Sequence, residues 1–144
     1  MNIRRATALD VSELARIERL QPQSAQWGEK GWKTEIIQAA SYVFCMEEDK
    51  KLIGFAALRL AAGFGEILNV AVHPDYCRRG IGFQLLSRLV QYARSQGGEE
   101  LTLEVNIYNR AAISLYSKIG FSEIGRREKF YHNKEDALIM GITL

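Results

Sequence analysis

The residues best placed to do chemistry lie in one run, HPDYCRRGIGFQLLSRL, from His73 to Leu89, where two arginines and two glycines lead straight into an apolar helical repeat. A helix N-terminus carries unsatisfied backbone N–H groups and about half a positive charge, so a glycine-containing loop feeding one can hold a phosphate. Gly80 and Gly82 let a ligand approach the backbone, while Arg78 and Arg79 bring charge for further phosphates; a diphosphate is the fitting guest. The run is not a Walker loop, because no Lys-Ser/Thr pair follows its second glycine, and it lacks the three-glycine dinucleotide spacing. Taken alone, it reads equally well as a glycine-bearing turn with solvated arginines.

Other reactive side chains point nowhere definite. His73 and His132 stand 59 positions apart without ligand-spaced neighbours, so no metal is expected. Cys45 and Cys77 form no CxxC motif and fit a reducing compartment. Ser87, Ser95 and Ser114 lack the glycine frame of a nucleophile elbow. The 144 residues, 47% hydrophobic and 25% charged, suit one domain spanning 1–144 that needs no disulfide or metal to fold. A formal charge of +2, spread along the chain, argues against a nucleic-acid partner. The opening MNIRRATALD has no apolar signal core and no long apolar run follows, so no membrane partner and a cytoplasmic location are expected.

The elements that must position the arginine–glycine run follow from periodicity. A strand over Asn2 to Ala6 gives way at Thr7, an N-cap with Asp10 three residues on, to a helix whose Val11, Leu14, Ile17 and Leu20 share a face. Pro22 and Gly28 mark a loop, and a second helix is predicted from Glu29 to Ala39, carrying Trp32 and Ile36. YVFCM, LIGFAALRL and GEILNVAV read as three strands joined by hairpins. Beyond the run, Leu85, Leu86, Leu89, Val90 and Ala93 line one side of a helix that Gly97 and Gly98 stop. In ELTLEVN, Leu101, Leu103 and Val105 alternate with Thr102, Glu104 and Asn106, as a strand requires. A short helix from Asn109 to Ile119 ends at Gly120, and FSEIGRREKFY and DALIMGITL close the chain as strands around the turn HNKE. The fold expected is α/β, one mixed sheet of about seven strands flanked by about four helices.

In this arrangement, ILNVAVHPDYCRRGIGFQLL followed by LEVNIYNRAAISLYSKIGF resembles the GNAT family of acetyl-CoA-dependent N-acetyltransferases, and the likeness covers nearly the whole chain. The first segment is similar to the family's acyl-CoA motif, Gln/Arg-x-x-Gly-x-Gly/Ala, with Cys77 in place of the usual Gln or Arg. The resemblance implies acetyl-CoA as cosubstrate, its diphosphate held along Arg78, Arg79, Gly80, Ile81, Gly82 and Phe83. It also implies that the backbone of Val70, Ala71 and Val72 pairs with the pantetheine arm and that Asn109 meets the cofactor beyond it. Within the family, QWGEKGW, the LEVNIYNRAAISLYSKIGF core, RREKFY and EDALIM resemble the RimI-type enzymes, which acetylate the N-terminal alanine of a ribosomal protein.

That closer likeness implies roles for Glu104 as base, Tyr116 as acid, and Trp27 and Tyr131 as acceptor contacts. An α-amine of pKa near 8 is largely ammonium at neutral pH and needs a proton acceptor; a phenol of pKa about 10 stays protonated and can supply a departing thiolate. A backbone N–H of Val70 or Val72 would hold the oxyanion. Each role has a plainer alternative: a strand glutamate paired with a lysine, or a tyrosine that, with Ala112 and Ile119 at helical spacing, only fills the core. Two departures fall on the acceptor side, Gln26 where a proline usually precedes Trp27, and Phe130 in place of the first of two tyrosines. The expected activity is acetyl transfer to a primary amine, a protein N-terminus foremost, with a lysine or small-molecule amine as the alternative. A non-catalytic acyl-CoA sensor would need neither Glu104 nor Tyr116.

Overall fold

The computed structural model describes residues 1–128 and 135–144. In chain order it contains β1 (Asn2–Arg5), α1 (Val11–Arg19), α2 (Gly28–Ile36), β2 (Ser41–Glu48), β3 (Lys51–Ala61) and β4 (Phe64–Val72). Then come α3 (Ile81–Ser95), β5 (Glu100–Asn106), α4 (Arg110–Ile119), β6 (Ser122–Arg127) and β7 (Ala137–Thr143). The seven strands form one mixed sheet in the order β1-β2-β3-β4-β5-β7-β6.

Local chemistry accounts for the joints. Asp49 and Lys50, and then Ala62 and Gly63, all take positive φ, so each pair makes the two-residue turn whose twist matches an antiparallel hairpin. The Thr7–Asp10 capping box forms, although it opens a 3-10 turn at Ala8–Asp10 before α1 begins. Arg4 spans Asp10 with two hydrogen bonds of 2.9 and 2.8 Å and reaches Glu47 at 3.1 Å, tying β1, α1 and β2. The Arg4 bond holds the Asp10 carboxyl below its ordinary range against the opposing effect of burial.

Strand alternation divides the core in two. Leu101 and Leu103 of β5 face Leu85, Leu86 and Leu89 of α3 on one side of the sheet. On the other side, Leu14 and Ile17 of α1 and Trp32 of α2 pack on Phe55 of β3. Three boundaries differ from the sequence expectation. Leu20 caps the end of α1 and is 45% exposed, because the buried face runs through Val11, Leu14 and Glu18 instead. The α2 helix stops at Ile36, short of Ala39. Of the strand predicted over 121–131, Ser122 to Arg127 is strand, and the turn at 132–134 lies outside the described residues.

The feature that makes a site is the one parallel joint. Pairing of β4 with β5 runs only from Phe64 opposite Glu100 to Ile67 opposite Leu103, although both strands continue. The β3 register jumps at the same place, from Ala57 opposite Asn69 to Leu58 opposite Ile67, leaving Leu68 as an extra residue in β4. A bulge bends its strand and ends ladder pairing locally, so β4 parts from β5 beyond Leu68.

Candidate active site

The parted strands enclose a cavity of about 870 Å³, reached by β4, β5, the loop after α1, the start of α3 and one side of α4. His73 N–H donates to Ile53 of β3, so by alternation Ala71 and Asn69 also turn their backbone groups to β3, while Val70 and Val72 turn theirs to the cleft. One of these is already engaged: Gln21 Nε2 donates to the Val72 carbonyl at 2.6 Å. Of the three residues expected to pair with a pantetheine arm, Val70 and Val72 present backbone to the cavity, and Ala71 borders it with its backbone committed to Phe55.

The arginine–glycine run forms the cavity's far end. Gly80 is the N-cap of α3 at φ +76, in the left-handed region, with nothing within 4 Å of an added Cβ. Gly80 having no side chain, none caps the fifteen-residue helix, so its first N–H groups are left for solvent or a ligand. Gly82 serves packing as well: a Cβ there would sit 3.0 Å from Leu115 Cδ2, where α4 crosses α3. Arg78, at φ +65, Gly80, Ile81, Gly82 and Phe83 all line the cavity. Arg79 is not brought to it; its guanidinium carbon lies 5.1 Å from the Tyr76 ring centre. Cys77 lines the cavity with an exposed thiol, in contrast to Cys45, whose thiol burial pushes up to about 12.

Glu104 and Tyr116 reach the cavity from opposite faces of the sheet. Alternation against Leu103 and Val105 turns Glu104 to the face of α1 and α2, where its side chain is 20% exposed and pairs with Arg127 Nη2 at 3.0 Å, not with a lysine. Tyr116 lies on the α3 face, 9% exposed and edge-on to Phe121 at 6.0 Å; it is at once a core residue and a cavity wall. Asn109 caps α4 by accepting from Ala112 N–H at 3.3 Å and also borders the cavity.

A family model described as the acetyltransferase (GNAT) family matches residues 9–121. The chain belongs to the GNAT acetyltransferase family. It is 34% identical over 122 residues to the [ribosomal protein bS18]-alanine N-acetyltransferase of Escherichia coli K12, covering 82% of this chain and 81% of that one. It is 31% identical over 156 residues to an N-alpha-acetyltransferase of Sulfurisphaera tokodaii, covering 99% and 92%. The crystal structure of the E. coli ribosomal-protein-S18-alanine N-acetyltransferase superimposes with a TM-score of 0.89 at 30% identity, over 99% of this chain and 92% of that one. The protein is therefore an acetyl-CoA-dependent N-acetyltransferase.

The loop between α1 and α2 of this GNAT enzyme is held by residues that the sequence did not single out. Glu18 is fully buried with no cation beside it; its carboxylate accepts from Trp27 N–H at 2.8 Å, Gly28 N–H at 2.9 Å, Trp32 Nε1 at 3.2 Å and Asn69 Nδ2 at 2.8 Å. Four donors offset the loss of water around the charge, and the first two are the open N–H groups at the start of α2. A signal for it existed: Glu18 follows Val11 and Leu14 at helical spacing on the apolar side of α1, where an unpaired carboxylate would be costly. Trp27 lies outside the main cavity, edge-on to Trp32 at 4.7 Å, and lines a second hollow of about 550 Å³; Leu68 borders both spaces. Gln26 takes φ +59, which a proline ring cannot adopt, and its Nε2 donates to the carbonyls of Glu18 and Gln21 and to Ser24 Oγ. Tyr131 and Phe130 lie outside the described residues. Among the described residues no group of three or more His, Cys, Asp or Glu could hold a metal, and no helix is long and apolar enough to cross a membrane.

Proposed function

We propose that the enzyme transfers acetyl from acetyl-CoA to the α-amine of a protein N-terminus, an alanine by preference and a ribosomal protein by analogy with its relatives, through direct attack in a ternary complex. The observation that carries this reading is the convergence of Glu104, Tyr116 and the free backbone edge of β4 on one cavity, each from a different element. Acetyl-CoA fits that cavity in parts. Uncapped N–H groups of Ile81, Gly82 and Phe83, with Arg78 nearby, suit the diphosphate; the edge of Val70 and Val72 suits an amide-bearing arm; Asn109 borders the cavity on the α4 side. Pairing with Val72 would replace the bond that Gln21 now makes.

The chemistry then divides among the chain's own groups. Glu104 takes the proton of the acceptor ammonium, directly or through one water, leaving a lone pair on nitrogen. The nitrogen attacks the thioester carbon, and the N–H of Val70 or Val72 holds the resulting oxyanion. When the C–S bond breaks, the electron pair leaves on sulfur, which takes the Tyr116 proton; the second proton of the attacking nitrogen returns to the Tyr116 oxygen through solvent and Glu104 releases the first, so amide and free thiol leave without a covalent acetyl-enzyme. The pairing of Glu104 with Arg127 fixes the carboxylate where β5 and β7 meet, beside Ile139. An acceptor chain entering over Leu68, with the Trp27 loop as one wall, would bring its first residue to Glu104.

The test compares steady-state specificity constants for an alanine-starting hexapeptide, the same peptide N-terminally blocked and carrying a lysine, and a polyamine. The alanine peptide should lead by tenfold or more and should lose turnover number as well as affinity when cut to alanine amide, because remote contacts orient the amine. A higher value for the blocked peptide or the polyamine would overturn the acceptor assignment and leave the acetyltransferase.

A further inference from the structure

We infer that Glu18 and Asn69 form a positioning pair that holds the acceptor-side loop in register with the cofactor-binding strand. The inference rests on the proposed placement of acceptor and cofactor. Residues between α1 and α2 have no regular structure of their own, yet they border both the main cavity, through Gln21, Ser24 and Ala25, and the second hollow, through Trp27. Two ties fix them to the sheet: Gln21 donates to the Val72 carbonyl near the start of the loop, and a relay through Glu18 and Asn69 holds its end. Glu18 takes the Trp27 and Gly28 N–H groups and the Asn69 amide, and Asn69 Oδ1 takes the Ala25 N–H at 3.1 Å. Both Asn69 side-chain atoms are thus spent on this loop, and Asn69 is 4% exposed and Glu18 wholly buried. Asn69 sits between the Leu68 bulge and Val70, with its backbone held to Ala57 of β3. The strand is therefore held by β3 as well, whereas the 25–28 end of the loop is tied to it through this relay. Weakening the relay should displace the acceptor wall and leave the thioester side in place. Glu18 lies behind the cavity wall, and Asn69 lines the cavity with both its side-chain polar atoms already bonded.

Exchanging the polar roles across the Glu18–Asn69 bond tests this. Asn69→Asp puts a second carboxylate 2.8 Å from the first, where the two can coexist only by sharing a proton. Glu18→Gln/Asn69→Asp restores one donor and one acceptor across the same gap. With folding checked by circular dichroism, Asn69→Asp should raise the KM for the alanine hexapeptide about tenfold at pH 8, less at pH 6, and leave the calorimetric Kd for acetyl-CoA within twofold. The double variant should recover at least threefold of the lost KM and flatten its pH dependence. Amide hydrogen exchange at Ala25 and Gly28, whose acceptors stay oxygens in the double variant, should quicken in Asn69→Asp and slow again in the double variant, read without any acceptor substrate; Trp27 N–H, which shares its Glu18 oxygen with Asn69, stays fast in both. If acetyl-CoA affinity and acceptor KM worsen in proportion, or the double variant is no better than the single one in both KM and exchange, the pair does not position the loop. If the parent prefers another amine, the acceptor assignment falls, and the same KM split read with that amine still decides the positioning role.

Discussion

Gly80 is where the assignment of the diphosphate loop can be broken most cleanly. Its φ of +76 lies in the left-handed region, and a Cβ built there meets nothing within 4 Å, so the site has room but the wrong backbone for any residue with a side chain. An L-residue held there costs about 1–2 kcal/mol. If the loop keeps its shape, stability falls by that amount; if it relaxes, the N–H groups of α3 lose their common aim and binding weakens by the corresponding factor, about 5- to 30-fold. Gly80→Asn should cost least, because its side chain tolerates this region, and Gly80→Ala should fall in that range. Gly80→Asp adds a negative charge, and one unit charge about 5 Å from another contributes about 3 kcal/mol at an effective dielectric of 20, so its loss should exceed about 100-fold at low salt. Gly82→Ala keeps a helical backbone, and its new methyl would press on Leu115 Cδ2 at 3.0 Å, a flexible group that can yield. It should lower the melting temperature and, because Gly82 also lines the cavity, weaken binding, though by less than Gly80→Asp. Isothermal calorimetry with acetyl-CoA, on variants shown folded by circular dichroism, reads all four. If Gly80→Ala and Gly80→Asp both bind within threefold of the parent, the loop does not hold the diphosphate.

Glu104→Gln should cut turnover by about 10²–10⁴ and make the remaining rate climb with pH towards the amine pKa near 8, in a stopped pH–rate series. Tyr116→Phe should slow turnover at every pH below the thiol pKa and leave acetyl-CoA affinity within twofold by calorimetry; unchanged turnover in both variants would remove Glu104 and Tyr116 from the acid–base chemistry. Gln26→Pro imposes a φ near −65° where the loop needs +59°, so it should melt about 3–8 °C below Gln26→Gly, which loses the same three side-chain bonds without the conflict. Asp10→Asn should lose about 1 kcal/mol in urea unfolding at pH 7. Because the folded Asp10 carboxyl is held below its ordinary value of 3.8, the parent's advantage is whole above that value; it should vanish as the pH falls through the lower folded pKa.

What could be read in advance followed periodicity. The alternation of Leu101, Leu103 and Val105 fixes which way Glu104 points, and the helical spacing of Leu85, Leu86 and Leu89 orients the start of α3, so the order of elements and two walls of the cavity were legible. The third wall was not. Gln21 and Asn69 act through long-range bonds whose partners are set by tertiary packing, and no spacing rule relates Gln21 to Val72 or Glu18 to Asn69. The arginines show the same limit in reverse: adjacent in sequence, Arg78 and Arg79 leave a left-handed turn in different directions, and one of them stacks on Tyr76 instead of facing the cavity.

The extra residue at Leu68 connects these observations. A straight β4 would continue its parallel pairing with β5, and the backbone groups of Val70 and Val72 would be spent on the sheet. One inserted residue ends that ladder at Ile67 and Leu103 and leaves polar backbone facing a partly apolar cleft, where an unmade hydrogen bond costs about 1–3 kcal/mol. Gln21 meets part of that cost by donating to Val72. A bound arm with amide groups would meet it more fully, as a strand does, and would release Gln21 in doing so. The same bulge sets Asn69 on the opposite face, towards Glu18, one residue from the oxyanion candidate Val70. A single change of register therefore opens the proposed cofactor slot and supplies the anchor for the proposed acceptor wall, so both halves of the proposed site depend on β4.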